Sequence, residues 1–501
     1  MLFEQVATAS AQIAQVSSRK RKVELIAEAL RAAPSGERKI AARYLSGIVG
    51  YKLGIGYATV AELRERVAPA GAAQLSLTEV DQRFAAIAEL AGSGSGRARK
   101  DGFGALLATG VASEQQFACA LVIGELRQGA LDALVVDGLA LATGVPAADV
   151  RRAYMLAGEI GVVAEAVLAD GAAGLAAFGL TLFRPVLPML AQTAETAGEA
   201  LANLGGEAAL ELKLDGFRVQ IHREDDHVRI YSRNLNDVTS SASELVAMAR
   251  AFPARSFIVD GEAIAFGDGG RPLPFQDTMG RQRGLSLSLF DALRIDDQTL
   301  LAEPARQRFA ALAALSPAHA VPRLVTADPE AAKAFYDQAI AGGHEGVMAK
   351  ALDAPYDAGS RGAAWLKIKR VRRLDLVVLA AEWGSGRRRG WLSNLHLGAR
   401  DPAGGFVMLG KTFKGMTDEV LAWQTTALLA REVDREDHIV YVRPELVVEI
   451  AFNETQRSTR YPGGLALRFA RLVRYREDKT AAEADTIDAV RAIAIADGVL
   501  A

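Results

Sequence analysis

The chain has 501 residues, half of them apolar, with 58 lysines and arginines against 60 aspartates and glutamates for a net charge of −2. That length exceeds one ordinary domain and predicts two to four, while the single cysteine, Cys119, excludes a disulfide framework and a tetracysteine zinc module. The near-neutral balance gives no overall basic footprint, no long charge-free apolar run predicts a membrane span, and the start MLFEQVATASAQIAQ lacks the basic head and apolar core of a secretory leader.

The first third reads as helices. Apolar residues recur at helical spacing over Leu2 to Val16, Lys22 to Ala33, Glu37 to Val49, Thr78 to Ala91, Ser113 to Gly124, Ala147 to Ile160 and Gly161 to Ala169. Cys119 falls in the helical stretch QFACALVIGEL and reads as a small buried hydrophobe. Short breaks such as Pro34-Ser35-Gly36 and Gly92-Ser93-Gly94-Ser95-Gly96 separate the helices. The second break, with Arg97, Arg99 and Lys100 behind it, reads as an interhelical linker or as a basic loop near a phosphate backbone.

The character changes near Phe183. From Ala208 onward come short alternating segments, LELKLD, FRVQIH, HVRIYS, FIVD, EAIAFG and LSLSLFDAL, with helices at Ser241 to Phe252, Glu303 to Leu315 and Pro329 to Ala341. That mixture predicts an α+β domain with mainly antiparallel sheets. After Lys369 strands dominate again (LDLVVLAAEW, LSNLHLGAR, GFVMLGKTF, ELVVEIAF, ARLVRYR), with one helix at Asp418 to Glu432. Five or so strands and one helix are what a small Greek-key barrel such as an OB-fold needs. Between Lys367 and Arg389 the cations far outnumber Asp375 and Glu382, so two basic knots flank an apolar strand, either meeting phosphates or forming a solvated face.

The chemistry centres on ELKLDGFRVQIHR, Glu211 to Arg223. Lys213 lies at a strand end, followed by an Asp215-Gly216 turn and by Arg218 on the returning strand. A lysine attacks only when its amine is neutral, so its pKa must fall, and nearby cations, a metal ion or partial burial would push it down. Read blandly, the same string is a surface hairpin with a salt-bridged lysine.

Further strings follow in order. Ser232-Arg233-Asn234 ends a strand. Asp260-Gly261-Glu262 lies between two strands, where a carboxylate could accept sugar hydroxyls or hold a metal. Phe290-Asp291 closes a strand, and the ring there could stack on a base. Glu345 to Lys350 (EGVMAK) pairs an acid with a lysine five positions on. Trp365 to Lys369 (WLKIK) puts both lysines on one strand face. Singly, Phe290 reads as core, Glu262 and Glu345 as surface acids, and Lys367 and Lys369 as an edge-strand guard. Six such strings in one order are hard to obtain by chance.

Together they resemble the nucleotidyltransferase superfamily and, within it, the ATP-dependent DNA ligases. The resemblance runs from about Pro185 to Lys479 and includes PVLPMLA before the lysine and PELVVEIAFNETQRSTRYPGGLALRFARLVRYREDK at the end. It implies a multidomain protein: an all-α DNA-binding domain over 1–175, an α+β adenylyltransferase domain with antiparallel sheets over 183–370, and a C-terminal OB-fold β-barrel over 371–501. It also implies the reaction. Lys213 attacks the α-phosphate of ATP and carries AMP, AMP passes to the 5′-phosphate of a nick, and the 3′-hydroxyl then expels it.

Carried onto single residues, the resemblance implies that Glu211 contacts the adenine edge and Phe290 stacks on the ring. Arg218, Arg233 and Glu262 hold the ribose, the phosphate or the nick's end, and Arg361 contacts the nucleotide. Lys367 and Lys369 bind the α-phosphate, Asp215 lies near the reacting centre, and Glu262 and Glu345 ligate Mg²⁺, with Mn²⁺ as a substitute. Arg476, Asp478 and Lys479 orient pyrophosphate, which predicts that the last domain swings about a hinge near Arg370 to Arg373 between steps. The implied partner is nicked double-stranded DNA, met by a monomer in the cytoplasm, at the nucleoid if the source is bacterial.

Three positions depart from the family pattern: Ala470 where many ligases carry proline, a short segment from Met279 to Leu285, and Asp296-Asp297 in place of an Asp-Gly turn. The competing readings are an RNA ligase or capping-type guanylyltransferase, which share the lysine chemistry, and an inactive nick-binding protein, which intact Lys213, Asp215 and Arg218 disfavour.

Overall fold

The computed structural model describes residues 1–500 apart from 127, 129–131, 268–269, 274–276, 279–283, 358–362 and 386–387. The trimmed segment from Met279 and the candidate Arg361 therefore lie outside the described residues.

Residues Phe3 to Leu175 form helices around one apolar core that includes Phe3, Tyr44, Leu45, Phe84, Phe103 and Val163. Several helices begin where a hydroxyl accepts from an otherwise unpaired backbone N–H, as Ser18 does from Arg21 and Ser76 from Glu79. Cys119 is buried in this core. The Gly-rich break is a short interhelical linker over Leu90 to Gly94, and the helix Ser95–Thr109 starts inside it, carrying Arg97, Arg99 and Lys100. Arg99 on that helix caps the Leu90 carbonyl, and Lys100 pairs with Glu62 at 2.6 Å. Helices Tyr57–Arg66 and Asp132–Thr143 also join this region. No helix among the described residues is long and apolar enough to cross a membrane.

Two five-stranded sheets follow. The first contains β1 (Gln192–Thr193), β2 (Ala208–Lys213), β8 (Arg323–Thr326), β9 (Gly346–Ala351) and β10 (Trp365–Lys369), in the order β1-β10-β9-β2-β8. The second contains β3 (Phe217–Glu224), β4 (His227–Ser232), β5 (Ser256–Ala265), β6 (Leu285–Ile295) and β7 (Gln298–Thr299), in the order β4-β3-β5-β6-β7. All pairings are antiparallel except β1 with β10. Helices Ala197–Asn203 and Pro329–Ala341 back the first sheet, and Ser243–Arg250 and Ala305–Leu315 back the second. A mixed cluster of Met189, Ile258, Leu293, Tyr356 and Trp365 joins the two, and Met155 and Leu156 of the helical region pack into it.

Two expected boundaries move. Asp260-Gly261-Glu262 is not a turn between strands but the middle of β5, which runs on with a register shift at Asp260/Gly261. Phe290 likewise sits inside β6 rather than at its end.

After Lys369 the chain passes through Arg370 and Val371 into β11 (Arg372–Trp383). One edge of β11 carries β12 (Leu392–Arg400), which pairs onward with β13 (Phe406–Thr412). The other carries β16 (Val447–Phe452) and then β15 (Ile439–Val442), with β19 (Arg471–Tyr475) on β16 and β14 (Glu432–Glu436) on β15. Register shifts along β11 curl this sheet around Leu376, Leu397, Ile450 and Phe452. The pairings among the described residues do not close into a ring, so the expected barrel is not seen as such. A hairpin, β17 (Glu454–Arg457) and β18 (Leu465–Arg468), leaves the sheet toward the first five-stranded one.

Candidate active site

Lys213 is the last residue of β2, which lies between β9 and β8 in its sheet. The next turn is tight: a Cβ on Gly216 would meet the Ala263 carbonyl at 2.1 Å, so only glycine lets the chain pass β5 here. Gly346, opposite Lys213 in β9, has φ +151 and would put a Cβ 2.0 Å from the Ile368 carbonyl. These close approaches bring the ends of β2, β9 and β10 together, and with them Lys213, Glu345 and Lys369.

The Lys213 amine lies 2.5 Å from Glu345 Oε2, and Lys369 pairs with Glu345 Oε1. Burial alone would lower the Lys213 pKa, but Glu345, then Glu262 and Asp215, outweigh it and hold the amine above the ordinary lysine value. The protein's own groups therefore do not supply the expected depression and instead favour the ammonium form of Lys213. Burial pushes Glu262 up to about 7 and Asp215 upward as well, the latter reinforced by Glu345.

A cavity of about 550 Å³ opens beside Lys213, lined by Glu211, Arg218, Arg233, Glu262, Phe290, Lys367 and Lys369 among others. That volume suits a nucleotide-sized ligand. Phe290 offers a ring braced edge-on by Trp365, with centroids 5.9 Å apart. Arg218 is more committed than a free phosphate clamp: it forks onto Asp260, donates to the Met189 carbonyl at 2.7 Å, and lies over the Phe290 and Trp365 rings.

Asp215, Glu345 and Glu454 converge closely enough to share one cation, whereas Glu262 lies outside that group. Glu454 comes from the β17–β18 hairpin of the C-terminal region. So does Arg468, which donates to Glu454 at 2.7 Å and to Asp215 at 3.4 Å. Neither was singled out in the sequence. Both lie in the ligase-like terminal string, but nothing in a string tells which face of a domain turns inward.

Arg476, Asp478 and Lys479 are elsewhere. Arg476 forks onto Asp478 at 2.9 and 2.7 Å, and Arg476 and Lys479 reach Asp375 of β11 at 2.9 and 2.6 Å. None of the three lines the cavity beside Lys213. Of the predicted site residues, the structure thus gathers Lys213, Asp215, Glu211, Arg218, Arg233, Glu262, Phe290, Glu345, Lys367 and Lys369, and leaves Arg476, Asp478 and Lys479 apart.

Comparison with known proteins shows which family the chain belongs to. Residues 188–369 match the model of the ATP dependent DNA ligase domain, and 388–479 that of the ATP dependent DNA ligase C terminal region. A "Probable DNA ligase" of Anaeromyxobacter dehalogenans (strain 2CP-C) is 55% identical, with 98% of this chain and 99% of that one covered. Another of the same name, from Beutenbergia cavernae, is 51% identical over 99% of this chain and 100% of its own. A solved structure named Pmar-Lig_PreS3 shares the fold, with a TM-score of 0.63 at 18% identity over 94% of this chain and 99% of its own. The chain belongs to the ATP-dependent DNA ligases.

Proposed function

We propose that Lys213 is the residue adenylated in this ligase, within a domain spanning 183–370 that is preceded by a helical DNA-binding domain (1–175) and followed by an OB-fold domain (371–501). What carries the assignment is the meeting of one lysine, a braced aromatic ring and two strand lysines around one cavity. ATP enters with its adenine between Phe290 and the Glu211 end of the cavity. Lys367 and Lys369 take the α-phosphate, and Arg218, Arg233 and Glu262 frame the ribose and phosphate side.

Mg²⁺ would be held by Glu345 with Asp215 and Glu454, the acids that converge there, while Glu262, outside that group, would serve the nucleotide side. The donor set fits a hard divalent cation, being carboxylate oxygen throughout. When bound, such an ion neutralises phosphate charge. Engaging Glu345 and Asp215 elsewhere would also weaken the acids' hold on Lys213, letting the amine lose its proton. Transfer of a nucleotidyl group needs charge neutralisation and in-line placement, which these cations supply. The protein acts on nicked duplex DNA, and Glu454 and Arg468 of the C-terminal region reach Asp215, two residues beyond Lys213.

Arg476, Asp478 and Lys479 would serve pyrophosphate departure only if the C-terminal domain turned. The short passage 370–371 between β10 and β11 is the candidate hinge. Labels on introduced cysteines at the exposed positions Arg255 and Asp437 should report different distances with ATP and with nicked DNA. Equal distances in both states would refute the swing.

The defining experiment uses α-labelled ATP and Mg²⁺. The label should survive denaturation on the protein, move to the 5′ end of a nicked duplex, and leave as AMP when the nick is sealed. Labelling from GTP in preference to ATP would favour the capping-type reading, and a label that never passes to nicked DNA would exclude the ligase assignment of this cavity.

A further inference from the structure

One end of the nucleotide cavity carries a charge arrangement that phosphoryl chemistry does not require. Glu211 lines the cavity but is only 1% exposed, and two cations hold it. Arg323 sits directly across from it in the β2–β8 register and spends two donors on one oxygen, with Nε 2.8 Å and Nη2 2.5 Å from Oε1. Lys350 takes the other oxygen, with Nζ 2.6 Å from Oε2, and also donates to the Phe290 carbonyl at 3.1 Å. The Arg323 guanidinium rests 3.6 Å over the Phe309 ring, which fixes its plane. Glu211 and Lys350 line the cavity, whereas Arg323 supports them from outside the lining.

An ionised carboxylate offers about four acceptor sites. Arg323 fills both on Oε1, and Lys350 fills one on Oε2, so among the described residues a single acceptor remains. Lys350, with two of its three N–H groups used, keeps one donor beside it. A fixed acceptor next to a fixed donor matches adenine, whose C6 amine donates and whose N1 accepts. Guanine reverses the pattern, and a purine without a C6 substituent leaves the buried acceptor unmet.

We propose that Arg323 is a positioning residue that sets the base specificity of adenylation by locking Glu211 so that its one remaining acceptor selects a C6 amine. The inference rests on the reading of this cavity as the ATP site. If Arg323 is removed, the carboxylate regains two unused acceptors on Oε1 and can rotate toward Lys350, so the amine is no longer required at one place.

The test compares adenylate formation from ATP, GTP and purine riboside triphosphate, which has only hydrogen at C6. Wild type should prefer ATP over purine riboside triphosphate by about tenfold to a hundredfold in kcat/KM, the scale of leaving a buried polar group unpaired. Arg323→Met should shrink that ratio to about threefold or less, mainly through a higher KM for ATP, and Arg323→Lys, which keeps the charge but not the fork, should recover part of it. Should Arg323→Met fail to fold, the ratio in Arg323→Lys against wild type remains the readout. A ratio unchanged in the variants, with all substrates declining together, would reduce Arg323 to a structural strut and overturn the proposal, as would a wild type indifferent to the C6 amine. A wild type that forms no lysyl adduct with ATP at all would instead remove the nucleotide reading beneath it.

Discussion

Lys213→Ala should abolish label transfer from α-labelled ATP to protein, a loss of about 10⁴-fold or more, the scale of deleting a covalent nucleophile. No neighbour can substitute. Lys369 shares Glu345 with Lys213 but stands on β10, on the far side of β9 from Lys213, and Lys350 is 1% exposed and tied to Glu211. The same variant should keep far more of its ability to seal a nick supplied already adenylated at the 5′ end, because that step draws on the cavity and not on the amine. Loss of both activities together would point to collapse of the site rather than removal of the nucleophile. The pH profile gives a second check. Glu345, Glu262 and Asp215 hold the amine above the ordinary lysine value, so below that pKa the neutral fraction rises about tenfold per pH unit. The initial rate of adenylation should therefore climb from pH 6.5 toward 9. A rate that falls across that range would contradict a proton on Lys213 as the barrier to attack.

The acids around that amine mark the limit of what a sequence conveys. The string KLDGFR announces the lysine chemistry, but it cannot show that Glu345, 132 positions later, will lie 2.5 Å away across two adjacent strand ends. Reasoning from reactivity requires a neutral lysine; electrostatics in the resting protein requires a charged one. Both hold, at different points of the cycle. Arg323 was invisible for a related reason. PRLVT is an unremarkable short strand, and its partner is chosen by β2–β8 register 112 residues away.

Misread elements have local causes. Asp-Gly is a strong turn signal, so the string places Asp260-Gly261-Glu262 between two strands. In the fold, Gly261 is there because a Cβ would come within 2.8 Å of the Ser288 carbonyl on β6. The helix Ser95–Thr109 was hidden by its glycines, which weaken helix propensity. Gly102 and Gly104 face Ile87 and Leu63 so closely that a Cβ would sit 3.2 Å from each, so tight helix packing outweighs the propensity cost. By contrast, the long apolar periodicities of the first third and the alternation of WLKIK were legible, because each is decided by burial of one face and needs no distant partner.

Asp291→Ala should be among the most destabilising single changes in the two-sheet region, costing about 3–5 kcal/mol, the scale of leaving one buried charge without its partner. Arg308 and Asp291 are both fully enclosed. Arg308 donates Nε to Oδ1 at 2.7 Å and Nη2 to Oδ2 at 3.0 Å, and Nη1 bridges the Glu303 and Ala354 carbonyls at 2.7 and 2.9 Å. One guanidinium thus ties β6 to helix Ala305–Leu315 and to the chain that leads to Tyr356, whose hydroxyl donates to Asp260, the partner of Arg218. Since Asp291 directly follows Phe290, loosening it should also let the stacking ring drift, raising the KM for ATP as well as lowering stability. For a region of this size the expected fall in thermal midpoint is roughly 6–20 °C. The double change Asp291→Ala with Arg308→Met should cost less than the two single changes added, because it removes the orphaned charge along with its partner. Additive losses in that cycle, followed by the unfolding transition of the nucleotide-binding region, would show that the ion pair is not the unit holding β6 to its helix.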